Sequence, residues 1–248
     1  MIRHYIILSS SYKMGKRIAL DFPISEGSDT NDVTECIERI QRECGEDVLY
    51  SIHTIVTHTD LWQDVVDTDT FFESVKVIKS AEKFIELVKS DRVLTGLDVA
   101  KYILTKLSCT HLKLEKMVYL CYAEHLCRTK EKLFDDDICA FKYGPIVKSV
   151  YDKYKGKDAS VILADKVEIP KDEEMELSIR SRILFAGNGM EKMKSIDETI
   201  EKYGQESATS LVNLTHKPDG PWELSYKGGY YDLINDDVIW EHHCVETL

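Results

Sequence analysis

The sequence predicts an α+β protein: a small N-terminal α/β or α+β domain over residues 1–94, followed by a mostly helical domain over residues 95–248. Three observations carry this. Short runs rich in β-branched and aromatic residues recur through the first ninety-odd positions, whereas three- and four-residue apolar spacing dominates beyond Gly96. Thr95 and Thr110 each stand ahead of a helix-period run, where a hydroxyl can accept an otherwise orphaned backbone donor. A content of 43% apolar and 31% charged residues over 248 positions supplies apolar surface for one large core or two modest ones.

The elements follow in order. HYIILS, residues 4–9, reads as a buried strand and RIALDF as a second, with DFPISEGSDTND, 21–32, as a loop rich in Pro, Gly, Ser and Asp. TECIERIQREC, 34–44, is an amphipathic helix stopped by Gly45. From Asp47 the chain alternates as a strand, with Val48, Tyr50, Ile52, Thr54 and Val56 on one face. SVKVI is a further strand, and SAEKFIELVKS, 80–90, a helix carrying Phe84, Leu87 and Val88. A boundary falls between Ser90 and Gly96. The strongest helix, THLKLEKMVYLCYAEHLCRTK, carries Leu114, Met117, Val118, Cys121 and Leu126 on a broad apolar face. A connector from Lys130 ends at Gly144-Pro145, where glycine turns freely and proline can open a helix at its first position. That helix would line up Ile146, Val147, Val150, Tyr151 and Tyr154. VILADKVEIP suggests an extended edge before an acidic helix near 172–185; SIDETIEKYG and ESATSLVNL suggest two more helices, then a loop through Pro218, Gly220 and Pro221, and an aromatic tail that packs back.

Charge and cysteine usage exclude several classes. The net charge of -12 is shared evenly, with 11 basic and 17 acidic residues over 1–94 and 21 and 27 over the remainder. Neither part is a basic arm for nucleic acid, although a local patch survives such a balance. The opening apolar run ends at Leu8, too short for a secretory core, and no stretch reaches the length of a membrane span, so the expectation is a cytoplasmic protein with no membrane contact. Seven cysteines without a CxxC pair suggest reduced, mostly buried thiols.

No constellation points to catalysis, a cofactor or a metal. His53 and His58 lie five residues apart on a strand, on opposite faces, while His242 and His243 diverge on a helix. Asp135, Asp136 and Asp137 read as a solvated loop, and pairing Cys139 with His216 as nucleophile and base requires a proximity that sequence does not show. GNGMEK lacks the spacing of a phosphate loop. Lys106, His111, Lys113 and Lys116 surround a helix–turn–helix-like junction, which leaves operator DNA open as a partner. Phe141, Tyr143, Tyr151 and Tyr154, with neighbouring lysines, suit protein recognition better, and Trp222 with His216 behind the THKPDGP loop is either an anchor for that loop or part of the same surface.

Three ordered blocks, LEKMVYLCYAEHL, KLFDDDICAFKYGPIVKSVYDKY and LVNLTHKPDGPW, resemble the Panacea antitoxin domain family of SocA-like, phage-associated proteins over roughly residues 96–243. The family-like positions include Lys116 and Tyr119, then Tyr143, Gly144, Pro145 and Tyr151, then Thr215, His216, Pro221 and Trp222; Ala140-Phe141 stands where the family usually has Ala-Trp. The resemblance implies a non-enzymatic antitoxin of a toxin–antitoxin system that neutralises a cognate protein toxin by direct contact. It leaves open regulation of its own operon through DNA, delivery of the toxin to a protease, and homo-oligomerisation. Residues 1–94 fall outside the resemblance, as an extension suited to partner specificity.

Overall fold

The computed structural model describes residues 1–156, 161–162, 173–229 and 231–247. The chain divides into two compact units: unit 1 comprises residues 1–93 with 185–187, and unit 2 residues 94–184 with 188–248.

Unit 1 is built on a four-stranded sheet in the order β3-β1-β2-β4. β1 (Ile2–Ser11) and β2 (Lys16–Ser25) form a long antiparallel hairpin, β3 (Ser51–Thr57) pairs antiparallel with β1, and β4 (Lys76–Val77) runs parallel to β2 at Ile18 and Ala19. Alternation divides the strands between two cores. Ile7, Ile18 and Leu20 pack under helices α1 (Asn31–Cys44) and α3 (Ala81–Asp91), against Ile40, Cys44, Phe84 and Val88. Ile6, Leu8 and Ala19 pack on the opposite face with Val65 of α2 (Trp62–Thr68), Phe72 and Val75. Fully enclosed side chains such as Ile40 and Phe84 each stabilise the unit by roughly 1.5–3 kcal/mol relative to exposure. On the second face, the buried His4 binds Asp21 through Nδ1 at 2.9 Å and Thr57 Oγ1 through Nε2 at 3.0 Å, pinning the three long strands together.

Three differences from the expected elements have physical causes. β2 continues through Pro23 to Ser25 where a loop was expected; β4 reaches only Ile18 and Ala19, so Pro23 costs no ladder bond on that side. The alternating face of β3 is present, but beyond Tyr50 it is open: Ile52 is 49% and Val56 42% exposed, while His53, Ile55 and Thr57 turn toward the covered side. α2 and the 3-10 turn Thr70–Phe72 were not foreseen, because LWQDVVDTDTFF is too short to show a period.

Unit 2 is predominantly helical. Thr95 caps α4 (Gly96–Lys106) in a reciprocal box with Asp98, and Thr110 caps α5 (His111–Thr129), whose N-terminal two thirds are almost completely enclosed. β5 (Cys109–Thr110) pairs with β8 (Val161–Ile162). The remainder of the VILADKVEIP segment, residues 163–170, lies outside the described residues. The connector after α5 contains a hairpin, β6 (Ile138–Phe141) and β7 (Gly144–Val147), flanked by β9 (Asp232–Leu233). Pro145 therefore sits in a strand and does not open a helix; α6 begins at Lys148 and runs to Tyr154. α7 (Glu173–Leu184), α8 (Gly189–Tyr203), α9 (Ala208–Thr215), α10 (Pro221–Ser225) and α11 (Asp236–His242) complete the unit, with α5 packed against α4, α8, α9 and α11.

Candidate functional site

The β6–β7 hairpin is latched onto α5 by two charged side chains buried inside the unit. Lys116, fully enclosed, donates from Nζ to the Pro145 carbonyl at 2.7 Å. Glu115 accepts from the Val147 amide at 3.2 Å and pairs with His111 Nε2 at 3.1 Å. Both groups satisfy backbone atoms that would otherwise be costly to bury. Burial pushes the Lys116 ammonium down to about 8, against the pull of Glu115 and Glu246, and pushes the Glu115 carboxyl up, against His111 and Lys116.

Gly144 closes the hairpin turn opposite Phe141, with φ +98°. A Cβ there would stand 2.9 Å from Lys116 Cε and 3.0 Å from both His216 Cε1 and Thr215 Oγ1, so glycine is required by conformation and by space. Thr215 donates back to Leu211 and Val212 carbonyls, and His216 Nδ1 donates to the Val212 carbonyl at 2.7 Å. The loop that follows carries Trp222 back to the hairpin: its indole N–H donates to the Phe141 carbonyl at 2.7 Å, His216 lies on it at 3.8 Å between ring centroids, and Tyr226 stacks on it at 5.0 Å.

A second group of rings grows from Phe141, with Tyr151 and Tyr231 each at 5.0 Å and His111 behind Tyr151 at 5.5 Å. Lys148 lies 5.2 Å over Tyr231 and Lys142 lies 5.3 Å over Tyr143. The outermost members are Tyr143, 61% exposed at the hairpin tip, Tyr231 and Leu233. Phe141, Tyr151, His216 and Trp222 are half-buried, joining this outer layer to the core. Chemically, this is rigid apolar area with cations at its margin, suited to holding another protein surface.

Other expected residues are placed elsewhere. Tyr154 is enclosed, 1% exposed, on the side of α6 that packs toward α4 and α5, so it is a core ring and faces no partner. Pro145 and Thr215 are likewise buried and hold the turn. The basic patch does not form: Lys116 is inside, His111 is paired with Glu115, Lys113 donates to the Gly204 carbonyl at 2.7 Å, and Lys106 is paired with Glu176. Asp136 caps α4, accepting from the Gly96 amide at 2.7 Å, so it is not a free loop carboxylate. Burial raises the Cys139 thiol to about 11, the wrong direction for a thiolate nucleophile, and His216 is committed to Val212 and Trp222. His53 packs on Phe71 and Phe72, and His243 binds Glu246; among the described residues no group of three or more His, Cys, Asp and Glu side chains is arranged to hold a metal ion. Among them, too, no helix is long and apolar enough to cross a membrane.

Sequence reasoning missed the interior polar network beside the hairpin. Tyr119 donates to Glu246 at 2.6 Å, and His243 Nδ1 binds the same Glu246 oxygen at 2.9 Å. Glu124 accepts from Tyr203 at 2.7 Å and Lys202 at 3.0 Å, and His243, Tyr203 and Lys202 hold its carboxyl down at about 2. Burial lowers His243, but Glu124 and Glu246 outweigh it and raise the imidazole. The available signal was the placement of Glu115 and Lys116 between Leu114 and Met117, on a helix enclosed almost all round.

Residues 114–223 match the family model for the antitoxin SocA-like Panacea domain. Over that stretch the chain is similar to a Panacea domain. Its span, narrower than the resemblance first suggested, runs from Leu114 in α5 through the latched hairpin to Glu223, just past Trp222 in α10. The similarity supports an antitoxin-like role in general, suggests that this role is non-enzymatic, and points to a protein partner. Searches of curated proteins and of solved structures each found no match.

Proposed function

We propose that this chain is a cytoplasmic, non-enzymatic antitoxin that neutralises a cognate protein toxin by direct binding, with the rings around the β6–β7 hairpin as the contact surface. The observation that carries the reading is Tyr143: inside the span matching the Panacea domain, an otherwise consumed set of aromatic and polar side chains leaves this ring 61% exposed at a tip held by Lys116, Glu115 and Trp222. A rigid aromatic at a fixed tip loses little entropy on binding, and such rings dominate interface energetics. Residues 1–93 of unit 1 lie outside the matched span and, in this reading, tune which toxin is held.

The test is co-expression with the product of the neighbouring gene. Rescue from growth arrest and co-elution on gel filtration are expected, and Y143A/Y231A should weaken the complex at least about tenfold, the loss of a hot spot of ~1.4 kcal/mol or more, while the melting temperature stays unchanged. The absence of both rescue and complex would overturn the antitoxin reading. Rescue and binding untouched by the double variant would move the contact surface elsewhere.

A further inference from the structure

β3 is the outer strand of unit 1's sheet, and its open side lacks the devices with which edge strands discourage pairing. Ser51–Thr57 reads SIHTIVT, with no proline, lysine or carboxylate, and its register with β1 runs from Ser51 to Thr57 without a bulge. The strand offers about 23 Å of edge at ~3.3 Å per residue. Ile52 and Val56 are 49% and 42% exposed, and Leu49, just before the strand, is 57% exposed.

We propose that two copies of this chain pair through β3, antiparallel about a two-fold axis at Thr54, joining their four-stranded sheets into one continuous sheet. The strand is its own complement in this register. Ser51 faces Thr57 of the second copy, Ile52 faces Val56, His53 faces Ile55, and Thr54 faces itself. Directly opposed residues in an antiparallel pair share a face, so the exposed Ile52 and Val56 cover one another. An isologous contact of this kind closes at two subunits. The two-fold register selects a second copy, because it sets the exposed Ile52 of each chain against the exposed Val56 of the other; each chain carries a net charge of -12, yet no charged side chain lies in the paired stretch to oppose that contact locally. The repulsion between copies is therefore long-range, and salt screens it. A single-strand edge buries less than the roughly 1,600 Å² of a standard interface, so the dimer is concentration-dependent, with a Kd on the order of 1–100 µM. This inference is independent of the toxin-binding reading, and its test contains no partner protein.

The test is sedimentation velocity on the full chain from about 1 to about 300 µM, at about 50 mM and about 300 mM salt. A monomer–dimer equilibrium that tightens with salt is expected. T54K sets a lysine against its own copy, and I52K/V56K sets lysine against lysine twice; each should weaken the dimer at least about tenfold. I52K/V56E instead opposes unlike charges and should recover most of that loss. Circular dichroism checks folding, and if I52K/V56K fails to fold, T54K at the exposed Thr54 carries the comparison. A chain monomeric throughout the range overturns the proposal, even if another protein pairs with the same edge. So does a dimer indifferent to T54K and I52K/V56K, or one that I52K/V56E leaves as weak as I52K/V56K.

Discussion

Gly144→Ala measures how tightly the hairpin turn is built. At φ +98° an alanine carries backbone strain of roughly 1–2 kcal/mol. Its methyl would also enter a space bounded at 2.9 Å by Lys116 Cε and at 3.0 Å by His216 Cε1 and Thr215 Oγ1. Neither long neighbour is free to retreat: Lys116 Nζ is bonded to the Pro145 carbonyl, and His216 is held by the Val212 carbonyl and the Trp222 ring. Forced overpacking of that kind costs about 1–3 kcal/mol, for a sum of about 2–5 kcal/mol. Gly228→Ala is the control, because Gly228 also lies in unit 2, has φ +82°, and has nothing within 4 Å of its Cβ position; it should lose only the backbone part. Equilibrium urea unfolding in a W62F background reads unit 2 alone, since the remaining tryptophans are Trp222 and Trp240. If G144A is destabilised by no more than about 1 kcal/mol beyond G228A, the packing argument for this turn is wrong.

Two further outcomes follow from burial. Tyr143→Ala should change unfolding free energy by no more than about 0.5 kcal/mol, whereas Tyr154→Ala, which empties a core site, should cost about 3–5 kcal/mol; thermal denaturation of both separates the surface ring from the enclosed one, and equal losses would contradict the placement. Lys116 predicts a pH dependence. Its folded pKa, about 8, lies below the ordinary 10.5, so between those values the unfolded chain holds a proton that the folded chain has shed, and the contribution of this residue to stability rises with pH across that window. Buried thiols and phenols with raised pKa values, such as Cys109 and Tyr154, act oppositely over the same range, so the quantity to measure is the difference between wild type and K116M. That difference should move in favour of the wild type by up to roughly 3 kcal/mol from pH 7 to 10.5, and a flat difference would show that the ammonium is not desolvated.

How much was legible in the sequence depended on whether an element declares itself locally. α5 is long, capped by Thr110 and apolar on most sides, so its period survives without tertiary information, and α1, α3 and α4 are similar. The β6–β7 hairpin is four residues per strand, and Gly144-Pro145 satisfies the local rules for a turn followed by a helix just as well as those for a turn followed by a strand. The strand wins because α5 offers a donor to the Pro145 carbonyl and an acceptor to the Val147 amide, a fact of tertiary packing. The same reason explains the aromatic residues: spacing grouped Tyr151 with Tyr154, but α6 starts three residues later than Pro145, and the shift leaves Tyr154 inside and Tyr151 against Phe141. The lysine patch differs in the other direction, since local spacing sets Lys116 beside His111 and Lys113 in a basic junction, whereas packing makes it a buried donor to the Pro145 carbonyl.

The adjacent, oppositely charged Glu115 and Lys116 then have a positional role that neither would have alone. One accepts from an amide and the other donates to a carbonyl two residues away on the same short strand, so the pair reads the register of β7 as well as its presence. A one-residue slip would turn every β7 side chain to the opposite face and leave both buried charges without their backbone partners, a cost far larger than the strand's own ladder of four pairs could offset. Register in turn decides which residues occupy the two-residue turn. With Phe141 opposite Gly144, Lys142 and Tyr143 stand at the tip, and the Phe141 carbonyl is presented to the Trp222 indole. Buried charges are weak evidence for stability, but here they fix geometry: the exposed position of Tyr143 is set from inside the core, by the Lys116 and Glu115 side chains that hold β7.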